Sequence, residues 1–100
     1  MNCYVYILIS ESTQGFYIGQ TSDLEKRLLF HNENRVKSTK NKGPWTFLYT
    51  RKVESIQKAL VLEKKLKNLK SRRRMLLWIS RHLDGDSSVG PEFYQIFDLD

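Results

Sequence analysis

The sequence is short of the residues that mark several classes of small protein. One cysteine, Cys3, in 100 residues leaves no partner for an intramolecular disulfide, which excludes a disulfide-stapled scaffold. Cys3 is expected as a small buried strand residue. Two histidines with no Cys/His spacing exclude a structural zinc site. Two prolines and five glycines leave no long linker. No apolar run is long enough to cross a bilayer, and no basic segment precedes an apolar run with a small-residue cleavage site, so no membrane partner and a cytoplasmic location are expected.

Acidic residues are scarce and unevenly placed. Residues 1–82 carry all 17 Lys and Arg against six acids, a net of +11, whereas Asp84, Asp86, Glu92, Asp98 and Asp100 stand in 83–100 without a base. The first part is a candidate polyanion binder and the second an acidic tail. With 40% hydrophobic residues the chain has enough apolar side chains for one folded domain.

"CYVYILI" (3–9) and "FYIGQ" (16–20) are β-branched and aromatic, and the turn-forming "SESTQG" between them predicts an antiparallel hairpin. Alternation sets Tyr4, Tyr6 and Leu8 opposite Val5, Ile7 and Ile9, and Tyr17 and Gly19 opposite Phe16 and Ile18. Gly19 is read as a place where the chain turns closely. Ser22 and Glu25 fit a capping box for a helix whose stripe is Leu24, Arg27, Leu28 and His31. Residues 32–44 read as a polar, basic loop, and "WTFLYTRKV" as a third strand from Trp45. From Ser55 a second helix carries Ile56, Ala59, Leu60, Leu62, Leu66 and Leu69 as its buried stripe, with Glu63 inside it. "SRRRMLLWISRH" supplies a third helix with Met75, Leu76, Trp78 and Ile79 for the core. Composition changes after His82, which sets a domain at 1–82 and a flexible tail at 83–100, with Phe93, Tyr94, Ile96 and Phe97 available to dock.

Glu63 breaks its own pattern, because a carboxylate on an apolar face loses hydration unless something compensates. Two readings fit: a salt bridge to Arg27 or a lysine, and a metal ligand. Arg27 offers a planar fork for a phosphate with His31 one turn on, or else it lies along the leucines with His31 as a satisfied polar group. Tyr6 and Tyr17 alone are packing residues as readily as acids or bases.

Taken together these residues resemble the GIY-YIG nuclease family. Its first tripeptide is present as the variant "VYI", Val5-Tyr6-Ile7, and its second as "YIG", Tyr17-Ile18-Gly19. The likeness runs on through "TSDLEKRLLFH", with Arg27 and His31, to "ALVLEKKLK", with Glu63. It covers about residues 3 to 80. The chain looks most like small stand-alone bacterial members similar to the nuclease domain of the bacterial excision-repair endonuclease and to Slx-type nucleases.

The resemblance implies an α/β (α+β) fold with three antiparallel strands flanked by helices. It also implies metal-dependent endonuclease activity on DNA phosphodiesters, structure-selective and serving DNA repair or processing. Glu63 would hold Mg²⁺ or Mn²⁺, Arg27 would brace the phosphate, Tyr6 and Tyr17 would line the site with one acting on the attacking water, and His31 would donate to phosphate or relay a proton. A non-catalytic nucleic-acid binding module of the same fold is the alternative. DNA contacts are expected from Arg35, Lys37, Lys40, Lys42, Lys64, Lys67, Lys70, Arg72, Arg73 and Arg74. The chain departs from the pattern at Val5, which replaces glycine, and at Gln20, where several members have lysine. Asn68 follows the glutamate at about 140° around the helix.

Overall fold

The computed structural model describes residues 2–99. The order is β1 (Cys3–Ser10), β2 (Phe16–Thr21), α1 (Leu24–Asn32), a short 3₁₀ turn (Lys37–Thr39), β3 (Trp45–Val53), α2 (Ile56–Asn68), α3 (Arg72–Ser80), β4 (Ser87–Val89) and α4 (Pro91–Leu99). The sheet runs β2-β1-β3-β4 and every pairing is antiparallel. β1 is thus central, and its alternation loads both faces, as the hairpin pattern predicts. Val5, Ile7 and Ile9 join Ile18, Ala59, Leu66, Leu76 and Ile79 in the larger core. Tyr6 and Leu8 meet Trp45 on the other face, with Tyr17, Leu24, Leu28 and Phe47 packed against them. Between Ile7 and Leu8 the β1–β3 register shifts, so Leu48 is an extra residue, and both Leu48 and Tyr49 reach the larger core.

Four expectations change. The sheet has four strands, because Ser87–Val89 pairs with Tyr49–Arg51. This polar segment has little strand propensity of its own. Tertiary bonds hold it: Arg51 grips Asp84 bidentately at 3.1 and 2.9 Å, Lys52 N donates to Asp86 O at 2.8 Å, and Gly90 N donates to Leu48 O at 3.1 Å.

The segment expected as a flexible tail is consequently built into the fold. Phe93 and Ile96 lie in the larger core and Tyr94 stays exposed, while Asp100 and the side chain of Asp98 lie outside the described residues.

The first helix is capped by Asp23, not Ser22: the Asp23 carboxylate accepts from Lys26 N at 3.1 Å. β2 extends to Thr21, whose hydroxyl accepts from Asp23 N, and this turn delivers Asp23 rather than Ser22 to the cap.

The buried stripe of α2 is narrower than its apolar residues suggest. Ala59 and Leu66 are buried and Leu62 and Leu69 pack beside them, whereas Ile56 and Leu60 are about half exposed, at 51% and 53%. The helix lies over β2 and β1 at one side of the sheet, which cannot cover its whole apolar circumference. Glu63 therefore flanks the stripe instead of lying within it.

Candidate active site

Tyr6 on β1 stands directly across from Gly19 on β2. Its ring lies over the glycine: a Cβ at position 19 would meet Tyr6 Oη at 2.5 Å and Cζ at 2.7 Å. No glycine in the described chain has a positive φ, so Gly19 serves by being small and not by turning the backbone. It is the bed on which the phenol rests. The two departures from the family pattern, Val5 and Gln20, also face each other across this strand pair, and Val5 is fully buried on the opposite face.

α1 packs its stripe over this ring. Arg27 Nε donates to Tyr6 Oη at 3.2 Å, and Tyr6 Oη lies 2.9 Å from His31 Nε2. On its far side His31 Nδ1 is 2.8 Å from Thr39 Oγ1, and Thr39 reaches Val36 O at 3.3 Å. Tyr6, His31 and Thr39 are all excluded from solvent. The Asn32 side chain brackets Trp45, accepting from its N–H at 2.7 Å and donating to its carbonyl at 3.0 Å, which ties the end of α1 to the start of β3.

The low-dielectric setting fixes protonation states. Burial pushes the Tyr6 phenol above its ordinary pKa, against the opposing pull of Arg27. Burial also lowers His31 from 6.5 to about 4, and the Arg27 charge adds to the effect. At neutral pH the pair is a phenol beside a neutral imidazole. Arg27 is raised chiefly by its bond to Tyr6, with Tyr17 contributing, and stays cationic. Tyr17 is half-buried and meets His31 edge-on, with centroids 4.9 Å apart.

Glu63 approaches from α2 on the other layer, close enough for its charge to act on Tyr6. Its side chain is 18% exposed and takes the Lys67 ammonium at 2.6 Å. This is the lysine salt bridge that the sequence left open. Asn68 is exposed at the last position of α2. Among the described residues no three His, Cys, Asp or Glu side chains gather into a metal cluster.

The structure brings Tyr6, Tyr17, Arg27 and His31 into one cluster and sets Glu63 within electrostatic reach of it. The basic residues fall into two groups. Lys37, Lys40 and Lys42 are exposed in the loop that holds Thr39, and Arg35 covers Phe30 while pairing with Glu33. Lys70, Arg73 and Arg74 are exposed at the α2–α3 corner, where Lys67 pairs with Glu63. Arg72 lies over Phe16 and donates to Gln14 O at 2.8 Å, tying this corner to the β1–β2 loop. Thr39 is the site residue that sequence reasoning missed. It stands in a polar stretch without periodicity, and nothing local distinguishes it from Ser38.

This arrangement, two strand tyrosines with a helical arginine and histidine, is found on a chain whose residues 2–75 match the GIY-YIG catalytic domain model, and the chain belongs to that nuclease family. The relatives it resembles are small stand-alone members. It is 34% identical over 80 residues to a UPF0213 protein of Streptococcus pyogenes serotype M5, covering 79% of this chain and 86% of the relative. It is 37% identical over 67 residues to one from Oceanobacillus iheyensis, covering 66% and 77%. The solution NMR structure of the UPF0213 protein BH0048 from Bacillus halodurans matches with a TM-score of 0.55 and 30% identity, over 95% of this chain and 94% of that one. Among the described residues no helix is long and apolar enough to cross a membrane.

Proposed function

We propose that this protein is a divalent-metal-dependent endonuclease that hydrolyses DNA phosphodiester bonds in repair or processing, with Tyr6 as the base that activates water. One observation carries the reading: the Tyr6 hydroxyl is held between a cation, Arg27 Nε, and Nε2 of the neutral His31 imidazole.

A phenol with a raised pKa cannot wait as phenolate at neutral pH, so its proton must leave as it takes another. The water oxygen bonds to phosphorus as its proton passes to Tyr6 Oη. The Tyr6 proton passes to His31 Nε2, and the leaving oxygen departs with the P–O electron pair. Arg27 covers the phenol in the resting site. A substrate phosphate competes for the guanidinium, drawing it outward to brace the phosphate oxygens and opening Tyr6 to water.

Glu63 is the residue that would hold Mg²⁺ or Mn²⁺, a part-buried carboxylate that already binds the Lys67 cation. One carboxylate completed by water and phosphate oxygens suits Mg²⁺ at a phosphoryl site. Bound there, the ion supplies Lewis-acid stabilisation of the charge on the phosphate and the leaving oxygen. The two basic groups support DNA backbone contact, which carries no sequence information by itself and favours selection by DNA shape.

The test is a panel of branched and linear DNAs with Mg²⁺, Mn²⁺ or EDTA, comparing the native protein with Glu63→Ala, Arg27→Ala and Tyr6→Phe. Cleavage that needs metal and falls by about 10²–10³ in each variant is expected. DNA binding without cutting under every condition would leave a non-catalytic module, and cutting that survives Glu63→Ala would overturn the metal assignment.

A further inference from the structure

We infer that Thr39 is a positioning residue of this site, which locks His31 in the tautomer that carries its proton on Nδ1 and so keeps Nε2 free to receive the Tyr6 proton. The inference rests on the relay proposed above, but its geometry is read from both ends of the hydrogen-bond chain independently.

At one end, the described bonds of the buried Tyr6 hydroxyl run to Arg27 and His31. A guanidinium has no lone pair to offer, so the phenolic proton has only His31 Nε2 as its acceptor. At the other end, the Val36 carbonyl accepts and cannot donate. Thr39 therefore spends its one hydroxyl proton on Val36, and toward His31 Nδ1 it is the acceptor. Both ends dictate one polarity: Arg27 to Tyr6 to His31 Nε2, and His31 Nδ1 to Thr39 to Val36. A neutral imidazole has a single N–H, and Thr39 decides which nitrogen bears it.

The loop is built to hold this hydroxyl still. Thr39 N also donates to Val36 O at 3.1 Å, Trp45 Nε1 donates to Thr39 O at 3.3 Å, and the side chain is sealed from water. An aspartate does the equivalent in serine hydrolases, with a charge that raises the basicity of its histidine. A neutral threonine fixes orientation without that gain, which agrees with an imidazole that stays uncharged well below neutral pH.

The experiment uses ¹⁵N-histidine-labelled full-length protein without DNA or metal, with long-range ¹H–¹⁵N spectra to read the His31 tautomer, followed by cleavage assays. The native protein and Thr39→Ser show a protonated Nδ1 and an unprotonated Nε2. Thr39→Val shifts His31 toward the Nε2–H form and lowers cleavage about 10- to 100-fold, as loss of an outer partner of a functional histidine does, while Thr39→Ser retains most activity. An Nε2–H imidazole in the native protein overturns the inference, as does a folded Thr39→Val with an unchanged tautomer. Should Thr39→Val fail to fold, the native and Thr39→Ser spectra decide the matter. Absence of cleavage by the native protein would remove the nuclease reading and leave the tautomer result standing.

Discussion

The Tyr6 ring rests on Gly19 across the β1–β2 pair, so closely that the glycine has no room for a methyl group. Gly19→Ala must therefore push the phenol off its bed and away from Arg27 and His31. We expect a loss of about 1–3 kcal/mol in stability from overpacking, measured by urea denaturation, with a larger fractional loss of DNA cleavage. A variant of native stability and activity would show that the ring is not confined there.

His31 makes stability depend on acid. The folded imidazole titrates at about 4 and an unfolded one near 6.5, so between these values the unfolded chain binds more protons. Stability is fully present above about pH 6.5 and falls as pH drops toward 4, by about 3 kcal/mol in all. Urea denaturation at a series of pH values from 7 to 4 should show this loss in the native protein and a shallower one in His31→Gln, which lacks the buried imidazole. Equal slopes would mean that the buried imidazole is not held neutral.

Much of this was legible because it depends on local pattern. Two-residue alternation placed Tyr6 and Tyr17 on one face and Val5, Ile7 and Ile18 on the other, and Trp45 opened the third strand as expected. What was illegible depends on distant partners. Ser87–Val89 is a strand because β3 offers it an edge and Arg51 anchors Asp84, and α2 leaves Ile56 and Leu60 bare because of where the sheet ends. Thr39 has meaning only once His31 is folded against it.

The acidic segment after His82 gives a direct test of that tertiary dependence. Phe93 is 1% exposed in the larger core, whereas its neighbour Tyr94 is 55% exposed. Phe93→Ala is expected to cost about 3–5 kcal/mol by opening a cavity, while Tyr94→Ala stays within about 0.5 kcal/mol. A flexible tail would make both substitutions silent in a thermal or urea melt, so similar small effects would refute the packed arrangement.

Lys67 and a divalent ion would compete for one carboxylate. The Lys67 ammonium holds Glu63 Oε2 one helical turn away, and an exposed-side i,i+4 pair is worth about 0.3–0.5 kcal/mol. Releasing it by Lys67→Gln frees the ligand but also removes a positive charge near the DNA backbone, and the two effects separate by the quantity measured. The metal concentration for half-maximal cleavage should fall by about twofold, the equivalent of that pair energy. DNA affinity, measured without metal, should weaken and lose part of its salt dependence. An unchanged or higher metal requirement would mean that the ion does not bind where Lys67 does, and Glu63 would then be left with the structural salt bridge as its role.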